Sequence, residues 1–535
     1  MKHKLSVPCF GGDLADGSGT EQHACRAKSE HAAEKPLPLW RASARMALVT
    51  IAGIAAVCVM ATGMVGCADM SGIASKAVLR DTPSFGLETA TSPSAAVSAN
   101  WWEDFGDEQL NTLVTQALQD NLSLKIAQAR LARAQAVTDV ANAATLPQLS
   151  AQLDATRQRY SANGLVPPPI AGSVRNIGTA QLIASWELDF FGKNRAAIDA
   201  AVGSLHAAEA DAQAARVLLA SNVARGYFQL VRLNGQVGIA RRTLGARQET
   251  LKLVQDRVSA GLDTRLELRQ SEGGLPEARL QLESLQEQMA LTRNALAALI
   301  GQSSVSASAI AANPISQAAI KKIAVTSVIP ADLLGRRADI TAARWRVEAS
   351  IEDVANAKAE FYPNINLVAF VGFSSIGLNR LFDSGSQQWG VGPAVRLPIF
   401  EAGRLRANLR GKAADQDAAI ESYNAAVLDA VRDVADQLAS VQSAARQQTE
   451  QRAASDAAEG AYDIAVQRYR AGLGTYLNVL TAETNVLAQR RAAVDLVARV
   501  LDTQVALIRA LGGGYKSAVD LPPVASKNID VGAVE

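Results

Sequence analysis

Cysteine and histidine are nearly absent from most of this chain. Its 535 residues contain four cysteines and four histidines, and only His206 lies beyond residue 67. The others are Cys9, Cys25, Cys58, Cys67, His3, His23 and His31. Residues 68–535 therefore cannot form a disulfide, a Cys/His zinc site or a Cys–His nucleophile pair.

Net charge and aromatic residues are also low. The chain has 53 Lys and Arg against 52 Asp and Glu, a formal net charge of +1, and 5% aromatic residues. This composition argues against nucleic-acid binding, which uses basic patches with interleaved aromatics. Scattered Asp and Glu leave carboxylate chemistry open, but solvated helix faces explain them more simply. We expect no enzyme and no metal site.

Long apolar runs without charge are limited to Met46–Gly66, which follows Arg41 and Arg45. A basic flank, an apolar stretch and small residues are typical of a secretion signal. The run ends in Met64-Val65-Gly66-Cys67, which resembles the lipobox at which bacterial lipoproteins are lipidated and cleaved. The alternative is an uncleaved signal anchor in the inner membrane.

The lipobox predicts a processed, lipid-anchored protein. We expect residues 1–66 to be removed, Cys67 to carry a covalent diacylglycerol and N-acyl lipid, and 67–100 to form a tether. We expect no other cofactor. Since Ala68 follows the cysteine directly, the best-known inner-membrane retention signal, an acidic residue at that position, is missing.

What the chain does contain is a duplicated pattern. Arg257–Leu266 recurs 211 residues later as Arg468–Leu477, and Asp139–Ala143 recurs 214 residues later as Asp353–Ala357. A spacing that is kept along the chain indicates two copies of one unit, which must be interpreted together. We accordingly divide the chain after the tether into a first repeat over 101–301, a linker over 302–328, a second repeat over 329–514 and a tail over 515–535.

Each repeat contains the same kinds of predicted element. Helical periodicity and proline-free runs predict long helices over 107–145, 193–258, 265–300, 404–469 and 475–511. Helices 193–258 and 404–469 would each span on the order of 100 Å. Both end at Ala-Gly-Leu, where glycine supplies a left-handed cap. The sequence Gly273-Gly274-Leu275-Pro276 predicts a kink in the helix over 265–300, which returns towards the strands.

Period-two alternation predicts one hairpin of two strands in each repeat, over about 148–191 and 364–400. In the first hairpin, the apolar residues on one face are Leu182, Ala184, Trp186, Leu188 and Phe190. The intervening polar residues are Gln181, Ser185, Glu187 and Asp189. Such strands have one apolar face and one polar face that contacts water.

Four such strands fit a membrane barrel that is shared between chains. The simpler alternative is a soluble sandwich with the same alternation. A barrel with a lumen needs about eight strands or more, so several chains must contribute, and three chains with four strands each would give twelve. The predicted fold class is therefore an α+β membrane protein in which the strands of several chains close one barrel and the long coiled helical hairpins gather into a hollow tube below it.

Several short segments together resemble the TolC-type outer-membrane efflux ducts, in particular the lipid-anchored NodT-type branch. The matching segments are Trp101–Asp107, Trp186–Gly192, Ile329–Leu334, Phe361–Pro363, Leu397–Gly403 and Ala510–Gly514. The resemblance covers roughly 100–515. The family's Arg-Arg-Pro-Asp-Ile appears here as Arg336–Ile340 with alanine in place of proline, and an expected Glu is Arg344.

The resemblance implies a homotrimer with a twelve-stranded β-barrel in the outer membrane and a helical tunnel through the periplasm. Such a trimer is a passive conduit and not an enzyme. The resemblance also implies two partners, a periplasmic adaptor (membrane fusion) protein and an inner-membrane RND pump. The expected function is export of drugs or other small molecules. Alternatives are a duct for type I protein secretion or metal efflux and, from a different class, a structural lipoprotein without a pore.

Two sites follow from the resemblance. The first is the pair of helix-to-helix turns, which in the family contact the adaptor; here these contain Gly261, Leu262, Gly472 and Leu473. A plain helix cap is the alternative interpretation of each turn. Bulky replacement of either glycine should abolish export while trimers still form.

The second is a periplasmic gate. Asp429, Asp433 and Asp436 share one helix face, so a trimer would carry rings of carboxylates. The 211-residue shift maps Asp436 onto Arg225, which suggests a latch between helices. A solvated stripe is the alternative interpretation. We also expect function where the repeats differ, as at Asp263, whose counterpart is Gly474.

Overall fold

The structure is a computed structural model of the chain, and it describes residues 70–85, 97–313 and 333–516. The predicted lipidation residue, Cys67, lies outside the described residues. So do the leader over 1–66 and most of the tail.

Seven helices and four strands organise the described residues. The helices are α1 (Glu108–Asp120), α2 (Leu122–Ala143), α3 (Lys193–Ser259), α4 (Arg265–Leu299), α5 (Ala338–Ala359), α6 (Arg404–Arg470) and α7 (Tyr476–Ala510). The strands are β1 (Gln148–Arg159), β2 (Val174–Leu188), β3 (Asn364–Ile376) and β4 (Gln387–Arg396). Single helical turns also occur, such as Ser304–Ala309 and Leu333–Arg336. The predicted combination of very long helices and four strands is confirmed.

The two longest helices, α3 and α6, have 67 residues each. At about 1.5 Å per residue, each is roughly 100 Å long. Each begins after a glycine with positive φ, Gly192 at 74° and Gly403 at 83°, a conformation that glycine adopts without a steric cost. Because neither α3 nor α6 contains proline, the helical backbone hydrogen bonds continue from the sheet to the turns at Gly261 and Gly472.

The helix predicted over 107–145 is wrong in one respect, because it is two helices. Asn121 separates α1 from α2 with an extended backbone, and its side chain accepts hydrogen bonds from Ser123 N (2.8 Å) and Leu124 N (3.1 Å). This side-chain cap satisfies the first free amides of a new helix, which favours a break at Asn121 over a continuous turn.

Helix α4 continues through Gly273–Pro276 without a break. Pro276 has no backbone N–H, so the usual bond to the carbonyl four residues earlier is missing. Nearby, Arg247 Nη1 donates to the Gly274 carbonyl at 2.8 Å. The kink that we expected at this segment stays a prediction.

The four strands form one antiparallel sheet in the order β1-β2-β3-β4. Gln152 pairs with Gln181, and Gln181 pairs in turn with Gly372, so the two hairpins are joined through β2 and β3. Strands β2 and β4 end earlier than predicted, at Leu188 and Arg396. Phe190 N donates back to Leu188 O in a tight turn, and Pro398 has no amide to donate to a ladder.

The two faces of the sheet differ in chemistry. On the polar face, Gln388 donates to Gln181 (3.1 Å), Gln181 donates to Gln152 (3.3 Å) and Gln152 donates to Asp154 (2.6 Å). We call these four residues the amide ladder. The opposite, apolar face leaves large side chains exposed, among them Leu149, Leu153, Leu182, Trp186, Leu367, Val371, Trp389, Val391 and Val395.

The main core lies where the short helices cross α3. Trp101, Trp102 and Phe105 are buried there together with Tyr227 and Phe228. Asp107 caps α1 through Gln109 N and Leu110 N and also accepts the Tyr227 hydroxyl at 2.7 Å. The Trp-Trp motif is thus a structural element of the core.

Residues 70–85, part of the predicted tether, lie along α6 and α5. Met70 and Ile73 pack near Leu405 at the start of α6, whereas Phe85 packs further along, near Tyr423. Asp417 Oδ1 fixes the middle of this strap, because it accepts from Ser75 Oγ (2.6 Å), Lys76 N (2.7 Å) and Ala77 N (2.9 Å). We call residues 70–85 the strap.

In the described ranges, no helix is both long and apolar enough to cross a membrane.

Candidate functional site

The two predicted tip turns have the same backbone geometry. Gly261 and Gly472 have φ of 73° and 75°. The following leucine amides, of Leu262 and Leu473, each donate at 2.8 Å to the carbonyl five residues earlier. This is the Schellman ending of a helix, and it explains why the repeated motif contains glycine at this position. Both leucines are two-thirds exposed, at 66% and 68%.

A polar cluster joins the two tips. Arg257 Nε and Nη2 donate to the Asp263 carboxylate at 2.9 and 3.2 Å. The Tyr469 hydroxyl, from the other hairpin, also donates to Asp263. Arg257 Nη1 donates to the Tyr469 carbonyl at 3.1 Å, and its guanidinium lies 4.6 Å from the centre of the Tyr469 ring. We call Arg257, Asp263 and Tyr469 the tip cluster.

The environment of the tip cluster strengthens its electrostatics. Tyr469 is buried with Val254, Tyr476 and Val479 in a small apolar core. The hydrogen bonds from Arg257 hold the pKa of Asp263 below its ordinary value, against the opposing effect of burial. Burial, together with the hydrogen bond to Asp263, raises the pKa of Tyr469. The carboxylate is therefore charged and the phenol neutral around neutral pH.

The second repeat lacks this cluster. Its Arg468, the counterpart of Arg257, donates to the Leu473 carbonyl at 3.2 Å, because Gly474 replaces the aspartate. Sequence reasoning did not find Tyr469, whose position in the first repeat is Val258. The useful signal was the difference between Asp263 and Gly474, which marks the residue at the centre of the cluster.

A second set of ion pairs joins the two hairpins, on the sheet side of the tip cluster. Arg247 on α3 pairs with Glu483 on α7 (Nε to Oε1, 3.0 Å) and with Glu277 on α4 (Nη1 to Oε2, 2.9 Å). The Arg247 side chain is largely buried, so water screens these contacts less than it screens a surface ion pair. Arg247 thereby connects the two hairpins above the tip cluster.

The predicted gate aspartates lie far from the tips. Asp433 is 37 residues before the end of α6 at Arg470, which is about 55 Å along the helix. Asp433 contacts Arg337 at 3.5 Å, and Asp429 contacts Arg432 at 3.2 Å. Within one chain these contacts neutralise part of the acidic stripe.

The predicted latch partner, Arg225, pairs with a different aspartate. Its Nε lies 2.5 Å from Asp502 Oδ1, on the return helix α7, and Asp436 is not in this pair. Equivalence under the repeat is therefore a poor guide to contact, since equivalent residues occupy corresponding places in different hairpins. The gate assignment of Asp429, Asp433, Asp436 and Arg225 stays a prediction.

The departures from the family pattern have local explanations. Ala338 is the first residue of α5, a position where proline is favoured for its fixed φ but where any good helix former also fits. Arg337 pairs with Asp339 (2.7 Å) across this helix start. Arg344 is buried and pairs with Glu348 at 2.6 Å, and its Nε and Nη1 have no hydrogen-bond partner among the described residues.

Among the residues that the structure describes, no three His, Cys, Asp or Glu side chains are grouped so that they could hold a metal ion.

Comparison with known proteins gives consistent matches over both repeats. A family model described as "Outer membrane efflux protein" matches residues 113–302 and 329–513. The multidrug resistance outer membrane protein MdtQ of Escherichia coli O6:H1 is 34% identical over 471 residues, which cover 85% of this chain and 96% of that protein. MdtP of the same strain, also named a multidrug resistance outer membrane protein, is 33% identical over 438 residues, covering 78% and 87%.

A solved structure matches as well. The outer membrane protein VceC from Vibrio cholerae has a TM-score of 0.73 with this chain at 38% sequence identity. The match covers 78% of this chain and 100% of that one.

Proposed function

Because the chain belongs to the outer membrane efflux protein family, we propose that it is the outer-membrane channel subunit of a tripartite RND-type efflux pump. Its role is a passive conduit that exports drugs or other small molecules from the periplasm or the pump to the outside. The observation that carries this proposal is the combination of one open membrane sheet with long hairpins that continue it away from the membrane.

The open sheet supports a homotrimer. Among the described residues, strands β1 and β4 each have a neighbour on one side only, over 12 and 10 residues. In a bilayer, each unpaired backbone N–H or C=O costs several kcal/mol, so a spanning sheet must close on itself. Pairing β1 of one chain with β4 of the next satisfies both edges, and three chains with four strands give a closed barrel of twelve. The apolar face then contacts lipid and the amide ladder faces the lumen.

The tips support contact with a periplasmic adaptor. The turns at Gly261 and Gly472 are the points furthest from the sheet along α3 and α6. Each turn exposes one leucine at the end of its hairpin, Leu262 in the first and Leu473 in the second. An exposed apolar residue on a tight, rigid turn can enter a partner's groove with little loss of conformational entropy.

The strap supports lipidation at Cys67. Arg406, near the sheet end of α6, donates to the Ser71 carbonyl at 3.3 Å. Met70 follows Cys67 by three positions, a reach of at most about 10 Å. A lipid on Cys67 would therefore tether the strap, and through Arg406 the sheet end of α6, to the membrane surface.

A reconstitution experiment tests the proposal. The purified full chain should migrate as a heat-resistant trimer and conduct ions in planar bilayers. With a cognate adaptor and pump, it should restore dye export to cells that lack their own outer-membrane channel. A chain that stays monomeric in lipid and forms no conducting pores would overturn the channel assignment, and pores without restored export would overturn only the pump assignment.

A further inference from the structure

The outward face of β1 changes character near its end. Its apolar positions run from Leu149 through Leu153 to Ala155, and the next two positions on the same face are Arg157 and Arg159. Opposite them on β2 lie Asn176 and Val174. The amide ladder lies on the other face, so the two arginines and the lipid-facing residues share one side of the sheet.

These arginines lie at the edge of the apolar band. Arg157 is eight positions after Leu149. With a rise of about 3.3 Å per residue and a strand tilt of roughly 40°, Arg157 is about 20 Å from Leu149 along the membrane normal. The apolar band of such barrels is about 25 Å tall. Arg157 and Arg159 thus reach the boundary at the end away from the helices.

The loop between β3 and β4 folds onto the same face and at the same end. Leu381 is buried against Gly178, an outward position of β2. A Cβ added to Gly178 would lie 3.2 Å from the methyl carbons of Leu381. The Phe382 ring packs edge-on against Phe373 at 5.7 Å. Yet Phe382 is 72% exposed, and Arg380 beside it is exposed as well.

The charges at this end are unbalanced. No Asp or Glu occurs between residues 155 and 186, and Asp383 is the one acidic residue between 361 and 386. Within the described residues, the side chains of Arg157, Arg159 and Arg380 form no ion pair. The opposite end of the strands is different, because Lys193 pairs there with Glu187 at 2.5 Å.

We propose that Arg157, Arg159 and Arg380 bind the phosphate groups of lipids in the outer leaflet, while Phe382 inserts among the acyl chains. Unpaired guanidinium groups bind phosphate with parallel hydrogen bonds, and an aromatic residue beside them suits the boundary between headgroup and hydrocarbon. This lipid rim rests on the membrane orientation proposed above. It fixes the height of the barrel at the outer boundary, as the lipid on Cys67 would at the inner one.

Arg175 offers a matched control. It lies on β2 at the same end of the sheet as Arg159 but on the other face, and its Nε donates to Ser173 Oγ at 3.1 Å. Replacing Arg175 removes the same charge from the same end of the barrel without touching the outward rim.

The test is native mass spectrometry of the purified oligomer titrated with diphosphoryl lipid A and, separately, with phosphatidylethanolamine. The variants are the triple Arg157→Gln/Arg159→Gln/Arg380→Gln, the corresponding triple Lys variant, and Arg175→Gln. An arginine near an anionic membrane surface contributes about a fivefold preference. The Gln triple should therefore bind diphosphoryl lipid A roughly a hundredfold more weakly. The Lys triple, which keeps the charge but loses the parallel hydrogen bonds, should fall between the Gln triple and the unmodified chain. Arg175→Gln should bind nearly as well as the unmodified chain.

Two results would overturn the proposal. One is a Gln triple that binds diphosphoryl lipid A as well as the unmodified chain. The other is a loss of about fivefold in Arg175→Gln, the share that one charge of three would have if overall charge attracted the lipid. Ion conductance of each variant in planar bilayers reports separately on the channel, so failure of the lipid rim does not affect the assigned function.

Discussion

Replacing Tyr469 with phenylalanine tests whether the tip cluster holds the two hairpins of one chain together. The change removes only the hydroxyl that donates to Asp263. The ring stays in its apolar core, and Arg257 keeps its contacts with the ring and with the Tyr469 carbonyl. The variant therefore isolates one hydrogen bond that links the hairpins.

The magnitude follows from the charge of the acceptor. A hydrogen bond to a charged group contributes about 1.5–3 kcal/mol to stability. Asp263 is charged and its side chain is only 11% exposed, so this range applies without a large discount for solvent. If separation of the hairpins breaks this bond, the separated population rises roughly 10- to 150-fold, since 1.4 kcal/mol is about tenfold.

Single-channel recording in planar bilayers measures this population as the fraction of time spent in the higher conductance state. The control is Tyr462→Phe, which makes the same chemical change two turns earlier on α6. Tyr462 also packs against the apolar core of the tips, and its hydroxyl forms no hydrogen bond to another described residue. If Tyr469→Phe opens no more often than Tyr462→Phe, the reasoning about the tip cluster is refuted.

The same cluster predicts how opening depends on pH. Because the pKa of Asp263 is below its ordinary value of 3.8, its stabilising effect is complete above that value and is lost as the pH falls through the lowered one. Tyr469, whose pKa is raised, contributes fully below its ordinary value of 10.0 and loses its effect only at higher pH. Open probability should therefore be constant between about pH 5 and pH 9 and rise below about pH 4.

Three further perturbations address other parts of the molecule. Valine at Gly261 or Gly472 should abolish export, because the positive φ strains a branched residue by about 1–3 kcal/mol and distorts the turn. Heat-resistant trimers should still form, since a Cβ at either glycine meets no atom within 4 Å. Normal export in both variants would contradict the adaptor contact. Asp417→Ala removes three hydrogen bonds to the strap, so limited proteolysis within the strap should accelerate at least tenfold, and an unchanged rate would show that packing alone holds it. Replacing Asp433 and Asp436 with alanine should change single-channel conductance and lower cation selectivity, and unchanged values of both would refute the gate assignment.

The sequence was sufficient for the long elements because their signals are local. Runs without proline that end at Gly261 and Gly472 define the helices α3 and α6, and strict alternation defines the strands. The break at Asn121 was missed, since a helical pattern of apolar residues continues on both sides of it. Only the capping chemistry of the asparagine side chain distinguishes it.

The candidate site was less predictable, because its contacts join residues that are distant in sequence. Tyr469 and Asp263 are 206 positions apart, and no local pattern pairs them. The comparison of repeats pointed to Asp263 as a place of difference, and the structure shows that this residue joins the two tips. It did not point to Asp502, the residue of the return helix α7 that pairs with Arg225 within the chain. Differences between repeats thus located an important residue without identifying its partner.

The amide ladder has a consequence for what can pass. A primary amide both donates and accepts hydrogen bonds, and apart from Asp154 the ladder has no formal charge. A dissolved molecule that touches Gln181 or Gln388 exchanges one hydrogen bond with water for another of similar strength, whatever its own polarity. The amide part of such a wall has little preference among cationic, neutral and zwitterionic solutes. Where only the glutamines line the passage, it sorts molecules by width and leaves chemical discrimination to other parts of the export route.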